Sequence, residues 1–111
     1  MATLDQYRKI IHTVLREHVQ IPYLNKAITK EMIIDEKNDR YLVVSLGWDH
    51  ERRVHGCLIH LEIIEGKIWI QKDNTDSAIA RELEKAGIPK NQIVLGFYDS
   101  SVRQHTEYAF A

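Results

Sequence analysis

Residues 47–61 read Gly47-Trp48-Asp49-His50-Glu51-Arg52-Arg53-Val54-His55-Gly56-Cys57-Leu58-Ile59-His60-Leu61, and residues 66–71 read Gly66-Lys67-Ile68-Trp69-Ile70-Gln71. These two stretches hold both tryptophans, three of the 6 histidines and the only cysteine of the chain. Glu65-Gly66, where the second stretch begins, is typical of a two-residue hairpin turn, because glycine readily adopts a positive φ. We therefore predict three adjacent strands here, and expect them to specify both the fold and any function.

The composition is that of one soluble globular domain, residues 1–111. Of the 111 residues, 44% are hydrophobic and 28% are charged, which is ordinary for a single core. The net charge of -1 contrasts with the basic surface that DNA-binding domains usually carry. One cysteine cannot form an intramolecular disulfide, and no apolar run approaches the ~20 residues that span a bilayer. The amino terminus lacks the features of a secretion signal, so we expect a cytoplasmic protein without membrane contact.

Helix and strand signals extend from the central stretch in both directions. Thr3 and Gln6 predict a capping box at the start of an amphipathic helix. Strands are predicted over residues 27–35, 40–48, 52–64 and 67–71. A second helix, capped by Thr75 or Asp76, should follow, and residues 93–97 predict a buried strand or an extended segment. The predicted fold class is α+β: an antiparallel β-meander of about four strands, with the N-terminal helix and the second helix packed on one face.

Alternation along the strands assigns side chains to two faces of the sheet. The core face is predicted to carry Cys57, Ile59, Leu61, Ile63, Ile68 and Ile70. The opposite face is predicted to carry Leu58, His60, Glu62, Ile64, Trp69 and Gln71, with Tyr41 and Val43 from the second strand. This second face has more apolar surface than a water-facing sheet normally shows. We expect the carboxyl-terminal segment, a second copy of the chain or another protein to cover it.

The candidate partner-binding residues are Trp69, His60, Gln71, Arg52 and Arg53. Exposed aromatic side chains often anchor protein contacts, which favours Trp69. The two arginines stand at the start of the third strand. They could meet a carboxylate or a phosphate, or simply form exposed ion pairs with neighbouring acidic residues.

Histidine spacing argues against a metal site. His50, His55 and His60 are potential zinc ligands. However, His55 and His60 have opposite parity on one strand, and should point to opposite faces unless Gly56 marks a bulge. We therefore predict no bound metal and no other cofactor.

No catalytic residues are predicted either. Glu65-Gly66-Lys67 matches half of a metal-dependent nuclease signature, with Asp49 upstream as a further carboxylate. The turn already explains Glu65-Gly66, and the tip of a hairpin is a poor place to hold a metal rigidly. Cys57 is predicted to be a small buried side chain and not a nucleophile. We therefore expect that the protein is not an enzyme.

The sequence resembles the XisI family, proteins named as controlling factors for excision of the fdxN DNA element. The resemblance covers nearly the whole chain and rests on Leu4-Asp5-Gln6-Tyr7-Arg8, Gly47-Trp48, Arg52-Arg53-Val54-His55-Gly56-Cys57, Gly66-Lys67-Ile68-Trp69-Ile70-Gln71, Gly87-Ile88-Pro89, Ile93-Val94-Leu95-Gly96-Phe97, Arg103 and Thr106-Glu107-Tyr108-Ala109. Tyr98-Asp99-Ser100-Ser101 departs from the family pattern, in which a turn with histidine and proline is expected.

The resemblance implies an accessory role in programmed, site-specific DNA excision. It implies work with a recombinase and with a companion controlling factor called XisH, and it implies no active-site residues. We expect a protein that acts through protein contacts, forms a homodimer and touches DNA only indirectly. The alternatives are a DNA-binding specificity factor, which would need Arg40, Arg52, Arg53 and Arg103 to gather on one surface, and a metal-dependent nuclease.

Overall fold

The central stretches form the middle strands of a five-stranded sheet. The computed structural model describes residues 3–111. Its elements are α1 (Leu4–Gln20), β1 (Ile28–Asp35), β2 (Arg40–Asp49), β3 (Arg52–Ile64), β4 (Lys67–Asp73), α2 (Ile79–Lys85), a 3-10 turn (Lys90–Gln92), β5 (Ile93–Leu95) and α3 (Ser100–Arg103). Strands β1 to β4 form an antiparallel meander, and β5 pairs with β4 in parallel. The predicted α+β meander is confirmed, with β5 as a fifth strand.

Helices α1 and α2 cover one face of this sheet. α1 begins with the predicted capping box, in which the Gln6 N–H donates to Thr3 Oγ1 (3.2 Å) and the Thr3 N–H donates to Gln6 Oε1 (2.7 Å). Apolar residues of α1 and α2 join those of the strands in one core: Tyr7, Ile11, Val14, Leu15, Tyr41, Val43, Ile59, Leu61, Ile63, Ile68, Ile70, Ile79, Leu83, Ile88 and Ile93. Among residues 3–111, no helix is long and apolar enough to cross a membrane.

The first N–H group of α2 is bound by a carboxylate that belongs to β4. Asp73, the last residue of β4, accepts the N–H of Ile79 at 2.9 Å. The prediction that Thr75 or Asp76 caps this helix is wrong, because the Thr75 hydroxyl itself donates to Asp73 Oδ1. The helix position is thereby fixed directly to the end of the sheet.

A β-bulge in β3 decides which side chains face the helices. Val43 pairs with Ile59 and Val44 pairs with Cys57, so Leu58 is an extra residue in β3. An extra residue shifts the register between the strands by one, and with it the faces of the residues beyond. Before the bulge the even-numbered residues of β3 therefore lie on the helix side of the sheet, and after it the odd-numbered residues do.

The bulge explains why Tyr41 and Val43 face the helices, although regular strand alternation predicts them on the opposite face. In a regular ladder that starts from the hairpin turn, Tyr41 would lie opposite His60, but the bulge moves it opposite Leu61. Both Tyr41 and Val43 therefore face the helices, and both are completely buried. The prediction that they lie on the uncovered face is wrong.

Cys57 and Leu58 exchange faces for the same reason. Cys57 is the cross-strand neighbour of Val44, so it lies on the face away from the helices, where it is half-buried. Leu58 packs instead against the core. Burial raises the pKa of the Cys57 thiol, which keeps it protonated at neutral pH.

Candidate functional site

Helices α1 and α2 leave the other face of the sheet uncovered. We call it the outer face, and the alternating positions of β1 to β4 place on it Ile33, Leu42, Val44, Leu46, Trp48, Cys57, His60, Glu62 and Trp69. Ile33 and Trp48 are 49% and 50% exposed, and most of the others are half-buried. An open apolar surface of this kind is typical of a site that binds another protein.

Three of the predicted site residues meet around Glu62 on this face. Gln71 Nε2 donates to Glu62 Oε1 (3.2 Å), and His60 Nε2 lies 3.1 Å from Glu62 Oε2. Trp69 is the cross-strand neighbour of Glu62, and Arg40 Nε pairs with Glu62 Oε2 at 2.9 Å. We call these five residues the Glu62 cluster. The cluster forms a polar, hydrogen-bonded border at one end of the apolar outer face.

A second bulge lies at Gln71 itself. His60 pairs with Lys72, whereas Leu61 pairs with Ile70, so Gln71 is an extra residue in β4. In a regular ladder Gln71 would lie opposite His60. At the bulge it has no partner residue in β3, and its side-chain amide donates to one carboxylate oxygen of Glu62.

The carboxyl-terminal segment covers only the Trp69 end of the outer face. The Arg103 guanidinium lies 5.2 Å from the centre of the Trp69 ring and 5.5 Å from that of Phe110. The Ala109 N–H donates to the Ile93 carbonyl (2.8 Å), which anchors the segment at the edge of the sheet. The carboxyl-terminal segment, one of the three covers expected from the sequence, therefore covers the Trp69 end of the outer face. The region from Leu42 to Trp48 stays open.

The two predicted arginines do not join the cluster. They stand at the β2–β3 turn, nine and ten residues along β3 from Glu62, or roughly 30 Å at the rise of an extended strand. Arg53 stacks on Trp48 (5.3 Å to the ring centre), and Arg52 pairs with Asp49 (3.5 Å). Being successive strand residues, the two arginines point to opposite faces. The arginines required for a DNA-binding surface are therefore not gathered.

The apolar middle of the outer face was not predicted. Leu42, Val44 and Leu46 lie there, beside the half-exposed Trp48. β2 is apolar at both parities, so alternation alone does not show which set the helices cover. The bulge at Leu58 decides which residues of β2 face the helices. No residue type in the sequence marks the position of this bulge.

The histidines of β3 are arranged differently from the prediction. Because of the bulge, His55 and His60 both lie on the outer face, opposite Leu46 and Leu42. They are five residues apart along the strand, roughly 16 Å at the usual rise, and His50 is almost fully exposed at the turn. Within residues 3–111, no group of three or more His, Cys, Asp or Glu side chains is placed to hold a metal ion.

The residues of the nuclease-like motif lie at one end of the sheet. Glu65 and Gly66 form the β3–β4 turn with φ angles of 50° and 81°, as a two-residue hairpin requires. The Lys67 ammonium donates to the Ala111 carbonyl (2.7 Å). Asp49 stands at the opposite end of β3, so it cannot share a metal ion with Glu65.

Fold and surface together define a class of protein: a small α+β protein whose five-stranded sheet is covered by α1 and α2 on one face and is largely open on the other. The family model described as XisI protein matches residues 1–110, and the chain therefore belongs to the XisI family. The resemblance seen in the sequence is confirmed.

Two solved structures have the same fold. A XisI-like protein from Anabaena variabilis ATCC 29413 is 31% identical with a TM-score of 0.91, and the match covers 98% of this chain and 100% of that one. The fdxN element excision controlling factor XisI from the same strain is 39% identical with a TM-score of 0.81, covering 97% and 98%. A search of curated proteins found no match.

Proposed function

We propose that this protein is an accessory controlling factor for programmed, site-specific excision of a DNA element, and that it acts through protein contacts and not by catalysis. Membership of the XisI family and the similarity to an fdxN element excision controlling factor support the excision role. The observation that carries the mode of action is the outer face. It is apolar, uncovered over most of its area and bordered by an ordered polar cluster.

The proposed partners are a companion controlling factor of the XisH type and the excision recombinase. A protein partner suits this surface, because interfaces combine an apolar centre with a polar rim. Leu42, Val44 and Leu46 would supply the centre, and the Glu62 cluster would supply part of the rim. Contact with DNA would be indirect, since the net charge is -1 and Arg40 is already neutralised by Glu62.

A charge placed in the middle of the outer face tests this proposal. We expect Leu46→Asp to weaken binding of the companion factor by more than about tenfold, because a carboxylate would be desolvated in the apolar centre of the interface. The measurement is isothermal titration calorimetry with the purified companion. Leu4→Asp is the matched control, since Leu4 is a 39% exposed leucine on α1, which packs on the other side of the sheet. Equal binding by the folded Leu46→Asp variant and the wild-type protein would refute the proposal.

Trp69 gives a second test at the other end of the surface. We expect Trp69→Ala to weaken companion binding by about tenfold or more, since large aromatic anchors dominate interface energies. Trp69 is half-buried and lies outside the helix-covered core, so the thermal midpoint should change by only a few degrees. Calorimetric titration and a thermal melt of the same sample compare the two effects. A large loss of stability with unchanged affinity would assign Trp69 a purely structural role.

A further inference from the structure

Part of β3 has a neighbour on only one side. β2 pairs with β3 from Arg52 onward, whereas β4 pairs with it only from Ile59 to Ile64. Within residues 3–111, no strand therefore lies beside residues 52–58 on the side away from β2. The Asn74 N–H donates to the Leu58 carbonyl (2.9 Å) and closes this edge at its inner end. The β2–β3 hairpin thus projects as an arm with one open edge.

The hydrogen bonds of β2 show which backbone groups are open on the arm. The Trp48 N–H donates to the Ala27 carbonyl (3.1 Å) on the β1 side, so it does not bond to β3. Trp48 and Arg53 are therefore a non-hydrogen-bonded pair, and the pairs alternate along an antiparallel ladder. The N–H and C=O groups of Arg53 and His55 consequently point away from β2. Unpaired groups on an exposed edge are a template for another strand.

We propose that this edge pairs with the same edge of a second copy of the chain, antiparallel about a two-fold axis at Val54. In this register Arg53 and His55 of each copy exchange backbone hydrogen bonds with His55 and Arg53 of the other. An axis one residue further on, at His55, would place Arg52 of the second copy opposite Leu58, where Asn74 already lies. The closed end of the edge therefore excludes an axis at His55, whereas an axis at Val54 pairs residues 52–56 of the two copies and stops short of Leu58.

The side chains of the arm suit a second copy in this register. Arg52 of one copy would lie opposite Gly56 of the other. The space beside Gly56 is free, since a Cβ built at this position would lie more than 4 Å from every neighbouring atom. A groove of about 250 Å³, lined by Tyr23, Ser45 and Gly56 among others, runs beside this position and can receive the long Arg52 side chain. The two Val54 side chains would meet on the axis. The net charge of -1 adds little repulsion between copies.

This inference goes beyond the proposed function, because it concerns the edge of the arm and not the outer face. Its consequence is a continuous sheet across the two copies, with both outer faces on the same side of the dimer. A foreign strand on the same edge is the competing occupant, and it predicts that the purified protein stays monomeric.

Disulfide trapping of the full chain tests the register. Val54→Cys should form an intermolecular disulfide with itself when a mild oxidant is added, because Cα atoms of a non-hydrogen-bonded pair are about 4.5 Å apart, within disulfide range. Covalent dimer on a non-reducing gel is the expected result. Val102→Cys, at a 42% exposed valine of α3, and the wild-type protein with its Cys57 are the controls and should show no covalent dimer on the gel. Absence of cross-linking in Val54→Cys would overturn the proposal.

Sedimentation of the untreated protein gives an independent measure. We expect a monomer–dimer equilibrium, with His55→Pro weakening the dimer by about tenfold or more because proline removes an outward N–H. His55→Ala, which keeps that N–H, should remain within about threefold of the wild-type protein. Circular dichroism checks that both variants are folded. A monomeric wild-type protein at about 100 µM, or equal dimerisation of both variants, would overturn the proposal.

Discussion

Replacing Gly47 with alanine should lower the free energy of unfolding by about 3 kcal/mol or more. Gly47 has a φ of 151°, a conformation that residues with a side chain rarely adopt. A Cβ at this position would lie 1.9 Å from the Ala27 carbonyl oxygen and 2.7 Å from the Ile28 Cα. Neither of these backbone atoms can move without separating β1 from β2. The hydrogen bond from the Trp48 N–H to Ala27 would be lost with it.

Gly56→Ala is the matched control for this prediction. Gly56 also lies in the β2–β3 hairpin, but a Cβ there would have no neighbouring atom within 4 Å. We expect its free energy of unfolding to stay within about 1 kcal/mol of the wild-type value. Urea unfolding of the three proteins, followed by circular dichroism, provides the comparison. Similar losses in both variants would show that the contact with Ala27 does not set the effect, since the lower entropy of the unfolded chain alone would stabilise an alanine variant.

The sequence predicted the elements of this fold better than their register. The capping box of Thr3 and Gln6, the four antiparallel strands and the Glu65-Gly66 turn are encoded locally, by residue types at short spacing. The bulge at Leu58 has no such local code. It arises because β2 and β3 must present apolar residues to two helices that lie far away in the sequence.

The candidate site shows the same division. Trp69, His60 and Gln71 were predicted on one face, and the structure brings them together around Glu62, because all lie beyond the Leu58 bulge and close to the β3–β4 turn. Arg52 and Arg53 are candidates because guanidinium groups can bind a carboxylate or a phosphate, but they lie far from that cluster. The apolar middle of the outer face depends on the parity of β2, which the bulge reverses.

Loss of the Asp39 carboxylate should have the second large effect, because it anchors α1 to the β1–β2 turn. Asp39 accepts two hydrogen bonds from Arg8 (2.8 and 3.1 Å) and one from the Tyr41 hydroxyl (2.9 Å). Tyr41 is completely buried, so Asp39→Ala would leave its hydroxyl unpaired inside the protein. We expect the free energy of unfolding at pH 7 to fall by about 2 to 4 kcal/mol, measured by urea unfolding.

Asp35→Ala is the control, because Asp35 is the last residue of β1, beside the same turn, but its partners are the side chain and the backbone N–H of the exposed Asn38. Its effect on stability should be much smaller, and a loss equal to that of Asp39→Ala would contradict the role given to Tyr41. Asp39→Asn should retain part of the stability, since asparagine also tolerates the φ of 54° and can accept the Tyr41 hydrogen bond.

The acid limb of the stability curve gives a separate check on Asp39. The Arg8 guanidinium lowers the pKa of the Asp39 carboxyl below its usual range. Because the folded pKa lies below the value of about 3.9 in the unfolded chain, the stabilisation is complete above that pH and is lost as the pH falls through the folded pKa. The wild-type protein should therefore lose stability more steeply than Asp39→Ala below about pH 4. Parallel acid limbs would show that the folded protein does not stabilise the ionised Asp39 carboxylate, and would contradict the role given to its contacts with both Arg8 and Tyr41.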